Sequence, residues 1–402
     1  MIINEFSIDK SFLSNQQYLH VKNQSFSWSK SPAELNFRGN DSSLDNLFKL
    51  NCLEIDIFRL IPLKYVKMLN ELNVKKDDNF EWRHLLSDKD QKIFLKILVE
   101  NIEKNIAKIK KKNLEYFFSF YPKRQQLLSS MCQYQIDYNN LKIHLDNDAN
   151  PSNYAILKSF DNDIRNVEYN NFGTKTGRLT VRSGGNILNL KRSYRNIFKS
   201  SFSEGKIFSI DFSSLEVRLL LLEAGKNISG DIYQKLSNIV NNKIPREVIK
   251  KIVISMIYGA SKEFLERTLH EFIAISEAEN FLFKLKQLFN IDDLVERLND
   301  EVRIHGKITN RFGRCVKVDS DYDNGVLLNY YFQSSGADFC LITFADFIKY
   351  NNLKFKPLFV IHDSLVVDTP HTEVESLLSM SSIRSDFYNY NFPIKIEEFY
   401  NA

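Results

Sequence analysis

The sequence predicts an α+β fold, and three observations carry that prediction. Residues 358–368 (LFVIHDSLVVD) are two apolar strands joined by a tight turn that exposes His362, Asp363 and Ser364. Residues 206–211 (KIFSID) form another strand-like run, entering a turn and then a helix at 215–223. Other stretches repeat their apolar residues at helical spacing instead.

In chain order, residues 1–80 mix short apolar runs with polar stretches such as NFRGNDSSLDN and carry no chemical signal. Residues 87–131 predict two helices, with Pro122 breaking or kinking the run because proline lacks a backbone N–H and crowds the preceding turn. Lys108, Lys110, Lys111 and Lys112 could follow a phosphate backbone, releasing its counterions; a lysine cluster alone is more often a solvated helix face. Residues 245–258 predict a helix, with Pro245 near its first turn, where no N–H is needed.

A chain of 402 residues that is 43% hydrophobic and 26% charged can bury one large core or two to three smaller ones. Its net charge of +4 permits a polyanionic partner without demanding one. Cys52, Cys132, Cys315 and Cys340 are far apart with no CxxC pair, which argues against a zinc site or a disulfide framework and suits a reducing cytoplasm. With no signal-peptide pattern and no run of about 18 apolar residues, a soluble protein without a membrane partner is expected.

The chemistry concentrates at strand ends. Asp211 and Asp363 each follow an apolar β-type run, and two carboxylates on neighbouring strands can bridge a pair of Mg²⁺ ions for in-line phosphoryl displacement. A single strand-end Asp is usually a turn or cap residue, so context must decide. The 245–258 helix supplies it: Arg246, Lys250, Ile254 and Tyr258 recur every four residues and so share one face. Two cations near the positive end of the helix dipole suit a triphosphate, and the apolar and aromatic residues beyond suit a sugar and base.

These residues carry a resemblance. Asp211-Phe212-Ser213-Ser214-Leu215-Glu216-Val217-Arg218 resembles motif A (DxSxxExR) of family A DNA polymerases, the class of bacterial DNA polymerase I. Residues 246–259 resemble its motif B (RxxxKxxxxxxxYG), and His362-Asp363 the HD of motif C. TKTGRL at 174–179, NILN at 186–189, GKITNRFGR at 306–314 and NYYFQSSGAD at 329–338 resemble further family segments in the family's order, and residues 392–396 its closing palm strand.

The resemblance implies a right-hand fold: a palm with an antiparallel sheet at 161–225 and 301–402, helical fingers at 226–300, a short helical thumb at 81–160, and an N-terminal region 1–80 of unassigned role. It implies a template-directed DNA polymerase that takes primer-template DNA and deoxynucleoside triphosphates. Asp211, Asp363 and the backbone carbonyl of Phe212 would hold two Mg²⁺ ions, with Mn²⁺ as a substitute. Arg246 and Lys250 would hold the triphosphate, Lys250 also acting as general acid, while Ile254, Tyr258 and Glu216 would face the sugar. Arg178, Asn329, Gln333 and His362 would line the minor groove at the primer terminus, where every correct pair presents acceptors.

This sequence departs from the family pattern in three respects. Ser364 replaces a Glu, Ile254 stands where an aromatic ring is common, and the thumb stretch is short, which predicts low processivity unless a partner compensates. No strand-borne DxE with downstream acids is found, Glu54-Ile55-Asp56 having the reverse order, so 3′–5′ proofreading is not expected. Two alternatives are a single-subunit RNA polymerase, against which Glu216 and the TxTGRL and QxxxAD segments argue, and a degenerate, non-catalytic DNA-binding homologue.

Overall fold

A computed structural model of the chain describes residues 5–8, 18–22, 25–29, 44–53, 60, 62–72, 86–227, 229–240 and 242–400. Glu54-Ile55-Asp56 lies outside them. The chain forms two compact units, residues 1–122 with 312–315, and residues 123–311 with 316–402. The division at 122/123 falls inside the stretch expected to be a thumb.

In the first unit, β1 (Glu5–Ile8), β2 (Tyr18–Lys22) and β3 (Ser25–Ser29) form an antiparallel meander. The helices α1 (Leu44–Leu50), α2 (Leu63–Glu71) and α3 (Asp88–Ala107) follow. α3 starts where Ser87 accepts the backbone N–H of Asp90, and it buries Phe94, Leu98, Val99 and Ile102, one stripe at helical spacing. Lys108 caps its C-terminus and Lys110 precedes α4 (Lys111–Glu115), so the lysine cluster occupies a helix junction, all four residues exposed.

The expected break at Pro122 is corrected by the structure. The interruption falls at the lysines, and α4 runs through a π-helical turn, Tyr116–Phe120, into α5 (Tyr121–Ser129). The N–H of Tyr121 bonds the carbonyl of Tyr116, five residues back. This wider turn leads directly into the position where proline supplies no donor, so the chain stays helical.

The second unit is built on a five-stranded sheet of order β11 (Lys356–Ile361), β12 (Ser364–Thr369), β8 (Lys206–Phe212), β14 (Tyr390–Glu398), β13 (Ser382–Ser385), every neighbouring pair antiparallel. Before it come β4 (Gln135–Ile136), α6 (Tyr138–Asn147), α7 (Pro151–Lys158), β5 (Glu168–Asn170), β6 (Thr180–Ser183) and β7 (Phe198–Lys199). The central strand β8 (Lys206–Phe212) leads into α8 (Leu215–Glu223). Residues 226–300 are mainly helical: α9 (Ile232–Asn238), α10 (Arg246–Ile257), α11 (Lys262–His270), α12 (Ile275–Phe289) and α13 (Ile291–His305). The short strands β9 (Lys307–Thr309) and β10 (Cys315–Lys317) precede the long α14 (Asn324–Tyr350). The chain then completes the sheet with β11 (Lys356–Ile361), β12 (Ser364–Thr369), α15 (His371–Leu378), β13 (Ser382–Ser385) and β14 (Tyr390–Glu398).

Side-chain alternation along β8 sends Phe208, Ile210 and Phe212 to one face of the sheet and Ile207, Ser209 and Asp211 to the other. Phe212 stacks on Phe344 of α14 with ring centroids 4.9 Å apart and meets Phe339 edge-on at 5.1 Å. On the Ile207 face, the aromatic group Tyr134, Phe160, Phe198 and Phe359 forms a second core. Asp211 therefore stands at the end of a strand whose two faces are both anchored.

Candidate active site

The sheet register brings the two predicted aspartates together. β12 pairs with β8 so that Ser364 lies opposite Asp211, and Asp363, one residue earlier, occupies the two-residue turn joining β11 to β12. His362, the other turn residue, has φ of 55°, a left-handed value that glycine adopts more easily. The sequence places Ser364 exposed at the hairpin tip, yet it is buried. It is the first residue of β12, and register turns it onto the Asp211 face, where its Oγ meets that of Ser209 at 2.5 Å.

Burial is the main cause that pushes the Asp211 carboxyl up to about 7; the negative charges of Asp363 and Glu397 add to the effect, while Arg192 and Lys395 oppose it. The Asp363 carboxyl is also raised, chiefly by burial, against the pull of its own backbone N–H, His362 and Arg178. Two adjacent oxygen donors that ionise reluctantly suit a hard divalent cation, which relieves both penalties at once. No group of three or more His, Cys, Asp or Glu side chains placed to hold a metal ion together occurs among the described residues. An ion here would complete its shell with backbone carbonyl, water and phosphate oxygens, as Mg²⁺ commonly does. Phe212, whose carbonyl is the backbone candidate, is held by its buried ring and by the bond from the N–H of Ser213 to the carbonyl of Pro393 at 2.9 Å.

One cleft gathers Arg178, Glu216, Gln333, His362 and Asp363 in its lining, while Asp211, on the neighbouring strand, lies outside that lining. Glu216 accepts a hydrogen bond from the Tyr258 hydroxyl and lies 3.8 Å from Arg178. Burial raises its carboxyl above the usual range, partly offset by Tyr258 and Arg178. Tyr258 follows α10 as its C-cap, and Gly259 ends the helix with φ of 78°. A Cβ on Gly259 would come within 2.1 Å of the Gly325 Cα, so only glycine allows this backbone to lie against the start of α14. Farther along α14, Asn329 and Gln333 are one turn apart on the same face, and the side-chain oxygen of Asn329 has no hydrogen-bond partner among the described residues.

Other predicted residues lie outside the cleft lining. Arg246 donates to Asp231 at 2.6 Å and also pairs with Glu247. Lys250, one turn on, is exposed and makes no hydrogen bond or ion pair among the described residues. Ile254 packs half-buried against the helical core. The four lysines at 108–112 lie in the first unit.

The sequence profile of DNA polymerase family A matches residues 95–397, three quarters of the chain. The chain belongs to this family. DNA polymerase I of Bacillus caldotenax is 24% identical over 285 residues, covering 62% of this chain and 32% of that protein. A DNA polymerase of Bacillus phage SP01 is 24% identical over 284 residues, covering 60% of this chain and 30% of that protein. The chain thus spans about a third of the length of these curated relatives. The POL domain of Pol1 from M. smegmatis, solved in complex with DNA primer-template and dNTP, shares the fold with a TM-score of 0.57 at 15% identity, covering 89% of this chain and 81% of that one.

Within this family A chain, several residues beside the aspartates went unread in the sequence. Lys395 lies opposite Asp211 on β14, and Glu397 follows two residues on, hence on the same face. Both fall in the closing strand, whose alternation would have revealed them once its register against β8 was known. Arg218, the last residue of the motif A match, donates to the carbonyls of Ser213 at 2.9 Å and Gly230 at 2.7 Å and to the Tyr390 hydroxyl at 3.1 Å. It thereby locks the strand-to-helix turn that follows Asp211, where Ser214 is left-handed with φ of 56°.

Proposed function

We propose that this chain is a template-directed DNA polymerase that extends a primer 3′ end on primer-template DNA, using deoxynucleoside triphosphates and two Mg²⁺ ions. The observation that carries the reading is the register that pairs Ser364 with Asp211 and so brings Asp363, in the turn just before it, beside Asp211. The ions, when bound, would favour ionisation of the primer hydroxyl and offset charge building on the transferring phosphoryl group, and Mn²⁺ could supply the same chemistry.

The remaining work falls to the chain. Asp211, Asp363 and the Phe212 carbonyl hold the ions. Arg246 and Lys250 bind the triphosphate, and Lys250 gives a proton to the departing pyrophosphate oxygen. The hydrogen-bonded Glu216 and Tyr258 fill the space beside the sugar C2′, with Ile254 one turn before Tyr258 on α10, so a 2′-hydroxyl would clash and bury a carboxylate against it. Arg178, Asn329, Gln333 and His362 offer donors to the minor-groove acceptors of the terminal base pair. We assign the palm to residues 161–225 and 301–402, the fingers to 226–300 and the thumb to 81–160, with Lys108, Lys110, Lys111 and Lys112 following the duplex backbone. A cytoplasmic site of action suits such a substrate.

Primer extension tests the reading: purified protein with Mg²⁺ and four deoxynucleotides should lengthen a primer, chelation should stop it, and ribonucleotides should be used poorly. A protein that binds primer-template but extends nothing would be the degenerate homologue, and one that prefers ribonucleotides would be the RNA polymerase. Replacing Glu216 with Ala should raise ribonucleotide use relative to deoxynucleotide use by roughly 100-fold, measured as the ratio of kcat/KM values. In a single encounter, enforced by a heparin trap, products should stay short unless a processivity partner is added; long products would remove the inference from the short thumb. A mispaired 3′ end should persist in the absence of nucleotides, since we propose no proofreading activity for this chain.

A further inference from the structure

We infer that the buried ion pair of Arg124 and Asp338 is a positioning device that sets Arg178 against the primer terminus; this rests on the polymerase reading. Arg124, on α5, and Asp338, on α14, are both fully buried and are 214 residues apart in sequence. One guanidinium nitrogen binds the Asp338 carboxylate, while the other donates to the Asn171 side chain at 3.1 Å and to the Gly177 carbonyl at 3.0 Å. The second carboxylate oxygen of Asp338 accepts from Asn310 at 2.7 Å.

Gly177 immediately precedes Arg178 and is left-handed, with φ of 75°. The turn it ends is closed by its own N–H on the Thr174 carbonyl at 3.2 Å, and the Thr174 hydroxyl donates to the Arg178 carbonyl at 2.9 Å. Arg124 therefore fixes the peptide on one side of Arg178 and Thr174 the peptide on the other, while the Arg178 side chain extends into the cleft. Because Asp338 lies on the helix that carries Asn329 and Gln333, the pair also sets the register between these donors and Arg178.

Stability alone gives a weak reason for this arrangement. A buried ion pair is commonly no more stabilising than apolar residues of similar volume, and here the Arg124 Nε has no hydrogen-bond partner among the described residues, a further cost. What apolar residues could not supply is the forked hold on Asn171 and Gly177.

The test is Arg124→Lys, which keeps the charge for Asp338 but loses the fork. Extension of a matched primer should slow about ten-fold, and the preference for matched over mispaired ends should fall by about the same factor, with KM for the incoming nucleotide unchanged. Arg178→Ala should show a similar loss, and adding Arg124→Lys to it should cost no further discrimination. Should Arg124→Lys fail to fold by thermal melting, Asp338→Asn, which keeps an acceptor for the guanidinium but loosens the hold that aims it at Gly177, gives the same readout. Unchanged discrimination in the folded variants, or an equal added loss in the Arg178→Ala background, overturns the inference while the polymerase reading stands. A wild-type chain that extends no primer overturns both.

Discussion

Replacing Asp363 with Asn should lower primer extension by about 1,000-fold or more while leaving primer-template affinity near its wild-type value. Asparagine keeps the shape and one oxygen but removes the charge that would hold a divalent ion and, with it, several kcal/mol of transition-state stabilisation. Binding should be spared because other groups are proposed to hold the duplex. Steady-state extension and fluorescence anisotropy on labelled primer-template check the two halves, and extension at the wild-type rate would remove Asp363 from the metal site. The same substitution has a second signature. Burial and the Asp363 charge push the Asp211 carboxyl up to about 7, so the folded chain favours its protonated form. A carboxyl raised in the folded state withdraws stability as pH climbs from its unfolded value of about 4 to its folded value near 7. Neutralising position 363 lowers that folded value and reduces the loss. Without metal at pH 8, Asp363→Asn should therefore be the more stable protein, by roughly 1 kcal/mol or about 2 °C in Tm after solvent screening, and the advantage should vanish near pH 4. A gap equal at both pH values would point to packing rather than charge.

The sequence disclosed these aspartates because their surroundings are local. β8 and the β11–β12 hairpin are short, largely apolar runs with an acid at or near the strand end, and α8 and α10 begin and end within a residue or two of their predicted limits. What escaped depends on geometry between distant segments. Ser364 belongs to the turn in sequence, yet pairing with Asp211 turns it inward. Pro122 reads as a breaker until the π-helical turn ahead of it is known. Arg246 shows a free cation in the helical pattern, but its carboxylate partner Asp231 lies 15 residues back, at the start of α9. Arg124 sits in a helical stretch, YPKRQQ, with no chemical pattern of its own, and only the fold brings it to Asp338. Periodicity reports which face a residue takes; it does not report what stands opposite.

Lys250 gives the other large expected effect, because its exposed ammonium is uncommitted among the described residues whereas Arg246 is already paired. For Arg246 to grip a triphosphate it must exchange Asp231 and Glu247 for phosphate oxygens, one set of charge-assisted bonds replacing another. Its loss should therefore appear mainly as a raised KM for the nucleotide. Lys250 has no such exchange to make, and as the proposed general acid it would act on the leaving oxygen in the transition state. Lys250→Ala should lower kcat by about 100-fold to 1,000-fold. Lys250→Arg distinguishes charge from proton transfer: guanidinium stays protonated at any accessible pH, so this variant should recover nucleotide KM but little of kcat. Because the same proton must be removed when the reaction runs backwards, pyrophosphorolysis should fall by the same factor as extension. An Arg variant with full kcat, or a reverse reaction left unharmed, would make Lys250 an electrostatic anchor and leave the proton to water.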